Sequence, residues 1–264
     1  MSLSSDRLKT QIFFEELLGC TKPEDIKQFQ DKAPEIVLNR SQASAFRKFC
    51  EADAKSFLFK GAVSLLSALS GLSKGRQTWP VVQLYYANYY LLRAELLLRN
   101  RCVLRANRVF TALCLSGEVI EKVSNKSAKS DHDLTIYFAK KYLAELDVLL
   151  SQKINDDLPY EWLKKQRDWY QYKQDSYIEL NDKGPFYPFE QMDLLTQVNM
   201  FLADPDPYFC FDPDYAVLAL PLKRFQLSLN TADQNAVHFN SNAKSKLLRF
   251  QNEGLACERV LRLL

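Results

Sequence analysis

Apolar residues recur every three or four positions along most of this chain, the spacing of one face of an α-helix. Helices are therefore predicted over residues 8–18, 41–70, 81–100, 105–123, 134–150, 158–180, 189–202 and 243–264. Residues 215–230 fit either a helix pair or a strand pair, because Pro221 divides them. The pattern as a whole predicts an all-α fold, a multi-helix bundle.

One of these segments is apolar on nearly every side. Trp79 and Pro80 precede it, and proline is favoured in the first turn of a helix. Valine, leucine and tyrosine then spread around the whole circumference, which is typical of a helix enclosed by others. We therefore predict a central buried helix near residues 80–99.

A break near residue 185 bears on the domain organisation. Gly184, Pro185 and Pro188 fall close together and interrupt the helical pattern. The prediction is a helical body over 1–184 and a carboxyl-terminal helical extension over 185–264, packed on that body. One continuous domain remains the alternative.

Composition agrees with helices and offers little chemistry. The chain has 264 residues and only seven glycines, whereas β-rich and dinucleotide-binding folds use glycine freely. The net charge of +3 does not by itself indicate nucleic acid. No signal sequence and no apolar run near ~18 residues is evident, so we expect a cytoplasmic protein without a membrane span. The six scattered cysteines predict reduced, buried thiols, with no cofactor and no metal site.

Three segments carry a resemblance to a known family. Residues 79–98, 130–138 and 161–172, in this order, resemble the helical segments of YaaC-like and HEPN-like proteins of prokaryotes. The features they share are Pro80 followed by Tyr85-Tyr86-Ala87 and Arg93-Ala94, then Ser130 and His132 before Phe138, then Arg167 before Tyr172. The matching order extends over roughly residues 43–177, about half of the chain.

The resemblance implies a scaffold whose usual catalytic motif is missing. Many such proteins are dimeric ribonucleases in which four to six residues separate an arginine from a histidine that follows it. The corresponding positions hold Asn125–Ser127 before His132 and Thr231–Asp233 before His238, and none is arginine. The main prediction is therefore a non-enzymatic accessory subunit of a bacterial assembly of the antiviral defence or toxin type, with protein partners encoded nearby. A homodimer is a further expectation.

Two alternatives stay open, a divergent HEPN-like ribonuclease and a nucleic-acid-binding accessory protein. The ribonuclease would use His132 with Arg93 or Arg167, since arginine binds phosphate and imidazole moves protons. The opposing interpretation of His132 is a residue of a helix-capping loop whose ring faces water.

An arginine cluster is the densest charged feature: Arg99, Arg101, Arg105 and Arg108. It predicts a surface for nucleic acid or for an acidic partner, and the amphipathic carboxyl-terminal helix is a second candidate contact surface. Alternatively, Glu95 pairs with Arg99 and the other arginines form a solvated face.

Two aromatic groups allow similar alternatives. The tyrosines at 85, 86, 89 and 90 are interpreted as core rather than as a base-stacking platform. The aromatic residues of 162–172 alternate with lysine and arginine, which suits inward packing but also single-stranded nucleic acid.

Overall fold

The computed structural model describes residues 7–124, 130–175, 186 and 192–264. These ranges are mostly helical, with ten α-helices and one small antiparallel sheet, which confirms the predicted fold class. The helices are α1 (Lys9–Leu17), α2 (Ile26–Phe29), α3 (Arg40–Ser73), α4 (Thr78–Leu98), α5 (Asp131–Tyr142), α6 (Pro159–Asp168), α7 (Leu194–Ala203), α8 (Ala216–Gln234), α9 (Ser241–Leu247) and α10 (Leu255–Leu261). The strands are β1 (Arg101–Arg105), β2 (Val109–Leu113) and β3 (Glu121–Lys122).

Helices α3 and α4 form the centre of the fold. Helix α3 starts at a capping box, in which Asn39 and Gln42 exchange two hydrogen bonds of 2.9 Å. The cap is thus Asn39, and the helix begins at Arg40, one residue before the predicted start at 41. Gly61 lets the two helices approach closely, because a Cβ there would lie 2.8 Å from the Leu91 side chain. Helix α4 is largely buried, as predicted for the central helix, and α8 also packs against it.

Helix α3 is long and apolar enough to cross a membrane, judged by length and composition alone. The expectation that no apolar run approaches this length therefore does not hold for α3 when length and composition are the only criteria. However, 56% of its apolar window is buried inside the protein. A core helix of a soluble protein passes the same test, and the buried side chains of α3 pack on α4 in that manner.

The helix predicted over residues 105–123 is wrong. Strands β1 and β2 pair antiparallel, with Arg101 opposite Leu113 at one end and Arg105 opposite Val109 at the other. Strand β3 pairs with β2. Three consecutive residues in the middle of β1 and of β2 are buried, so the alternation that identifies a strand exposed on one side is absent. A short apolar run of this kind does not distinguish a buried strand from a helix.

Several other predicted boundaries also change. Residues 216–230 belong to α8, which continues through Pro221, and Tyr215 precedes its first residue. The segment 243–264 is two short helices with Gly254 between them at φ 129°. Helix α5 ends at Tyr142 rather than 150, and α7 begins at Leu194 rather than 189. Helix α6 begins at Pro159 as predicted but ends at Asp168, followed by a π-helical turn at Trp169–Lys173. The predicted break at 181–189 and the boundary at 184/185 lie outside the described residues, apart from Phe186.

A buried ion-pair network joins α4, α8 and the segment before α6. The Arg224 guanidinium donates to Asp147 at 2.8 Å and to Glu95 at 3.1 Å. Tyr160 also donates to Asp147, and Thr231 donates to Glu95 at 3.1 Å. The three charged side chains are each only 3% exposed. Since every charge has an opposite partner, the network ties these segments together without leaving an isolated buried ion.

Candidate functional site

His132 lies in the first turn of α5 and does not itself cap the helix. Ser130 is the cap: its hydroxyl accepts the Asp133 amide at 3.1 Å, and the Asp133 carboxylate accepts the Ser130 amide at 3.3 Å. This reciprocal arrangement is a capping box. The capping box orders the first turn of α5, and this helix packs on α4 with His132 half-buried, so the interpretation of His132 as a water-facing loop residue is wrong.

The imidazole of His132 packs among three tyrosines of α4. The Tyr85 hydroxyl and His132 Nδ1 are 2.8 Å apart and share a hydrogen bond. The ring centroids of Tyr89, Tyr85 and Tyr86 lie 4.4, 5.5 and 5.6 Å from that of His132. Tyr85 is buried as the core interpretation predicts, while Tyr86 and Tyr89 are half-buried beside the imidazole. The tyrosines thus form one wall of a site as well as part of the core.

Arg167 reaches the same place from the last turn of α6. Its guanidinium lies 4.7 Å from the Tyr85 ring centroid and 5.8 Å from that of Tyr172, which are cation–π distances. Its Nε is 3.2 Å from the Asp168 carboxylate, and the side chain is only 7% exposed. Arg167 therefore places a positive charge beside His132 and connects it to the aromatic residues of the π-helical turn.

The surroundings of His132 favour its uncharged form. Partial burial, then the positive charges of Arg167 and Lys164, lower the pKa of His132 below its usual value. Lys164 is itself held by Asp133 at 2.6 Å, and this pair lowers the pKa of Asp133 despite its partial burial. The His132 ring is thus neutral at neutral pH. No described residue hydrogen-bonds its Nε2, so this atom is available for proton transfer.

Arg93, the other arginine suggested for this site, is elsewhere. It is buried, and its guanidinium lies 5.2 Å from the Phe57 ring centroid, between α4 and α3. Burial lowers the pKa of Arg93. No contact in the described part of the chain joins it to His132. Of the three candidate catalytic residues, the structure brings together His132 and Arg167.

The arginines of the cluster already contact other residues of the same chain. Arg99 pairs with Glu95 at 2.9 Å and Arg108 pairs with Asp31 at 2.7 Å. Arg105 pairs with Asp131, and the Arg101 guanidinium lies 3.9 Å from the Tyr142 ring centroid. The Glu95–Arg99 pair matches the alternative interpretation of the cluster. Binding of nucleic acid or of a partner by these arginines stays a prediction, since such binding would compete with these contacts.

An exposed aromatic edge lies beside the His132 site. Trp169 and Tyr172, both in the π-helical turn, are more than half exposed, and Lys173 next to them is also exposed. Turns of this type occur often at functional sites. The prediction that these rings pack inward is therefore wrong for Trp169 and Tyr172, whereas Trp162 is buried.

Sequence reasoning missed two relationships in this region. It identified Tyr85 and His132 separately but did not pair them, because 47 residues separate them in the chain. It also interpreted the cysteines as unrelated. The Sγ atoms of Cys50, Cys102 and Cys114 all lie within 4.8 Å of one another, so these three residues are the described group best suited to hold a metal ion. No local spacing indicates this group.

Comparison with protein-family models, with curated proteins and with solved structures finds no match to this chain. The resemblance to YaaC-like and HEPN-like proteins therefore remains a prediction, and the functional argument depends on the residues themselves.

Proposed function

We propose that this chain is a cytoplasmic RNA-binding protein that cleaves single-stranded RNA, with His132 as its acid–base residue. The observation that carries the proposal is the half-buried His132, which is hydrogen-bonded to Tyr85 and whose pKa is lowered by burial and by the charges of Arg167 and Lys164. A positioned imidazole with a pKa near or below neutrality is well suited to proton transfer at physiological pH.

The chemistry needs a proton acceptor beside the ribose. In the tautomer in which Nδ1 donates to the Tyr85 oxygen, Nε2 of His132 keeps its lone pair. Nε2 then removes the proton of a 2′-hydroxyl while that oxygen attacks the adjacent phosphorus. The bond to the 5′-oxygen breaks, and this leaving oxygen takes up a proton from solvent water, while His132 returns to solvent the proton that it accepted. The products are a 2′,3′-cyclic phosphate and a free 5′-hydroxyl.

Tyr85 and Arg167 are positioning residues in this scheme. Burial raises the pKa of Tyr85, so its phenol stays uncharged, and its oxygen accepts the hydrogen bond from Nδ1 of the imidazole. Arg167 is too enclosed to be the main phosphate contact, but its charge adds to the effect of burial in lowering the pKa of His132.

The exposed aromatic edge supplies the binding surface. Rings of Trp169 and Tyr172 can stack on unpaired bases, which is worth about 1–3 kcal/mol per base. Lys173 adds a positive charge for the phosphate backbone. Because Arg167 contacts both Tyr172 and Tyr85, RNA bound at this edge lies next to His132.

Substituting His132→Gln is expected to lower the rate of RNA cleavage by about 10²–10⁴-fold, the usual contribution of a general acid–base residue. The measurement is turnover of a fluorescently labelled single-stranded RNA in a buffer containing a chelator. His238→Gln is the matched control, because His238 is exposed and pairs with Asp233. Unchanged cleavage by His132→Gln would refute the proposed catalytic role.

The pH profile separates a chemical role from a structural one. Because the His132 pKa lies below its usual value, the rate should rise with pH through an acid limb below about pH 6.5. In Arg167→Met, loss of a nearby positive charge raises the His132 pKa and moves this limb to higher pH. Trp169→Ala should raise KM while leaving kcat and the limb unchanged. A limb that stays in place in Arg167→Met contradicts the assigned electrostatics.

The accessory-subunit hypothesis is the second candidate, and a different surface favours it. The two contact surfaces predicted for it, the arginine cluster and the carboxyl-terminal helix, already make contacts within the chain. The arginines are paired, and α10 packs on α3 and α7. An apolar patch remains, formed by exposed Val37, Leu115 and Val119 where the chain before α3 bridges to the turn after β2. Such a patch suits a protein partner in a bacterial defence or toxin-type assembly.

That candidate predicts that Val37→Asp combined with Val119→Asp abolishes a complex with the product of a neighbouring gene. The complex is measured by light scattering after co-expression of the two proteins. Leu255→Asp is the control, because Leu255 is similarly exposed at another place on the surface. A complex that survives the double substitution excludes this patch as the contact surface.

A further inference from the structure

Three cysteines from distant parts of the chain meet in the core. Cys50 lies in α3, Cys102 lies in β1, and Cys114 directly follows β2. The Sγ of Cys114 is 3.6 Å from that of Cys50 and 3.8 Å from that of Cys102, and all three residues are fully buried free thiols. The cluster is separate from the His132 site and plays no part in the proposed RNA chemistry.

We propose that Cys50, Cys102 and Cys114 form a binding site for one thiophilic monovalent cation, Cu(I), held by three sulfur ligands. The site would fasten the β1–β2 hairpin to helix α3.

The size of the cluster fits a single ion. A metal–sulfur bond of about 2.3 Å places three sulfurs arranged around one ion roughly 3.8–4.0 Å apart. The two shorter Sγ separations, 3.6 and 3.8 Å, lie close to this range, and the three ligand atoms lie within 4.8 Å of one another. Only a small adjustment of side-chain torsions is needed to enclose the ion.

The number of ligands favours Cu(I) over Zn²⁺. Structural zinc sites are almost always four-coordinate, whereas the group found in the described residues offers three ligands. Thiolates are soft ligands that select Cu(I), and three-coordinate sulfur sites suit that ion.

Two arginines add positive charge near the cluster. Hydrogen bonds from the Cys102 and Cys50 thiols, helped by the charges of Arg101 and Arg47, lower the pKa of Cys114. Binding Cu(I) through three thiolates releases the thiol protons to solvent and involves no electron transfer. The two arginines offset part of the negative charge that results.

An exposed turn adjoins the cluster on one side and would offer the ion a route of entry. Residues 115–117, immediately after Cys114, form an exposed turn with Gly117 at φ 90°. Local opening of this turn would expose the Cys114 sulfur without disturbing the α3–α4 pair.

The test is an anaerobic titration of the reduced full-length protein with Cu(I) in the presence of a coloured Cu(I) chelator. The expected result is one equivalent of Cu(I) withheld from the chelator, with a weakening of more than about 100-fold in Cys102→Ser, the upper limit of typical effects of residues outside the ligand set. Cys210→Ser is the matched control, because Cys210 is equally buried but lies outside the cluster.

X-ray absorption of the loaded, unsubstituted protein keeps the proposal testable even if the Cys102 variant fails to fold. Three sulfur neighbours at about 2.3 Å support it. It is overturned if the protein withholds no Cu(I), if Cys102→Ser and Cys210→Ser bind equally, or if Zn²⁺ is retained in preference to Cu(I).

Discussion

Replacing Arg224 with alanine is expected to lower the free energy of unfolding by about 3–5 kcal/mol, the usual cost of breaking a buried ion pair. The substitution leaves Glu95 and Asp147 facing each other in the core without their shared cation. Burial alone would lower the pKa of Arg224, yet Asp147 and Glu95 raise it, so the interaction with the two carboxylates outweighs desolvation. Losing the guanidinium removes that compensation while the desolvation of the carboxylates remains.

Chemical denaturation followed by circular dichroism measures this effect, with Arg262→Ala as the control. Arg262 pairs with Glu258 one turn away on the surface, and such pairs contribute about 0.3–0.5 kcal/mol. Arg224→Lys should fall between the two, because lysine keeps the charge but not the forked geometry that reaches both carboxylates. Equal stability of the Arg224 and Arg262 alanine variants would contradict the assigned role of the network.

The helical body could be predicted from the sequence because its signals are local. The all-round apolar pattern of α4 indicates burial, and Pro159 marks the start of α6 where the structure has it. The start of α1 is different. The backbone amides of Lys9 and Thr10 donate to the Asp53 carboxylate at 2.8 and 2.9 Å, and Asp53 lies 44 and 43 residues further along the chain. No pattern near α1 indicates this partner, because the fold rather than the spacing brings the two together.

The same distinction separates what could be predicted of the site. His132 and Arg167 were candidates from residue type alone, whereas their common contact with Tyr85 depends on how α4, α5 and α6 pack. Arg93 and Arg167 were equal candidates by residue type, but the position of Arg93 on α4 directs its side chain towards Phe57. The cysteine cluster depends on the β1–β2 hairpin, so a helix predicted at 105–123 could not reveal it. One error in secondary structure therefore concealed a candidate metal site.

The second large effect is expected at Phe46, whose replacement by alanine should lower the free energy of unfolding by about 3–5 kcal/mol. Phe46 in α3 is fully buried, and its ring meets that of Phe13 in α1 edge to face, with centroids 4.8 Å apart. Truncation removes the apolar surface of the ring from the core and leaves a cavity between the two helices. A cavity lined by rigid helices closes only in part, which is why the cost exceeds the transfer energy of the ring.

Phe49→Ala is a closely matched control for this prediction. Phe49 lies one turn further along α3 and contacts the same Phe13 ring at 5.2 Å, but it is only half-buried. Because water can occupy the space left by a half-buried ring, its truncation should cost about 1–2 kcal/mol. Denaturant titrations measure the free energy of unfolding of the two variants, which lose the same side chain from positions that differ in burial. If Phe49→Ala destabilises the protein as much as Phe46→Ala, the α1–α3 contact is centred on Phe49, and the packing described for this region is wrong.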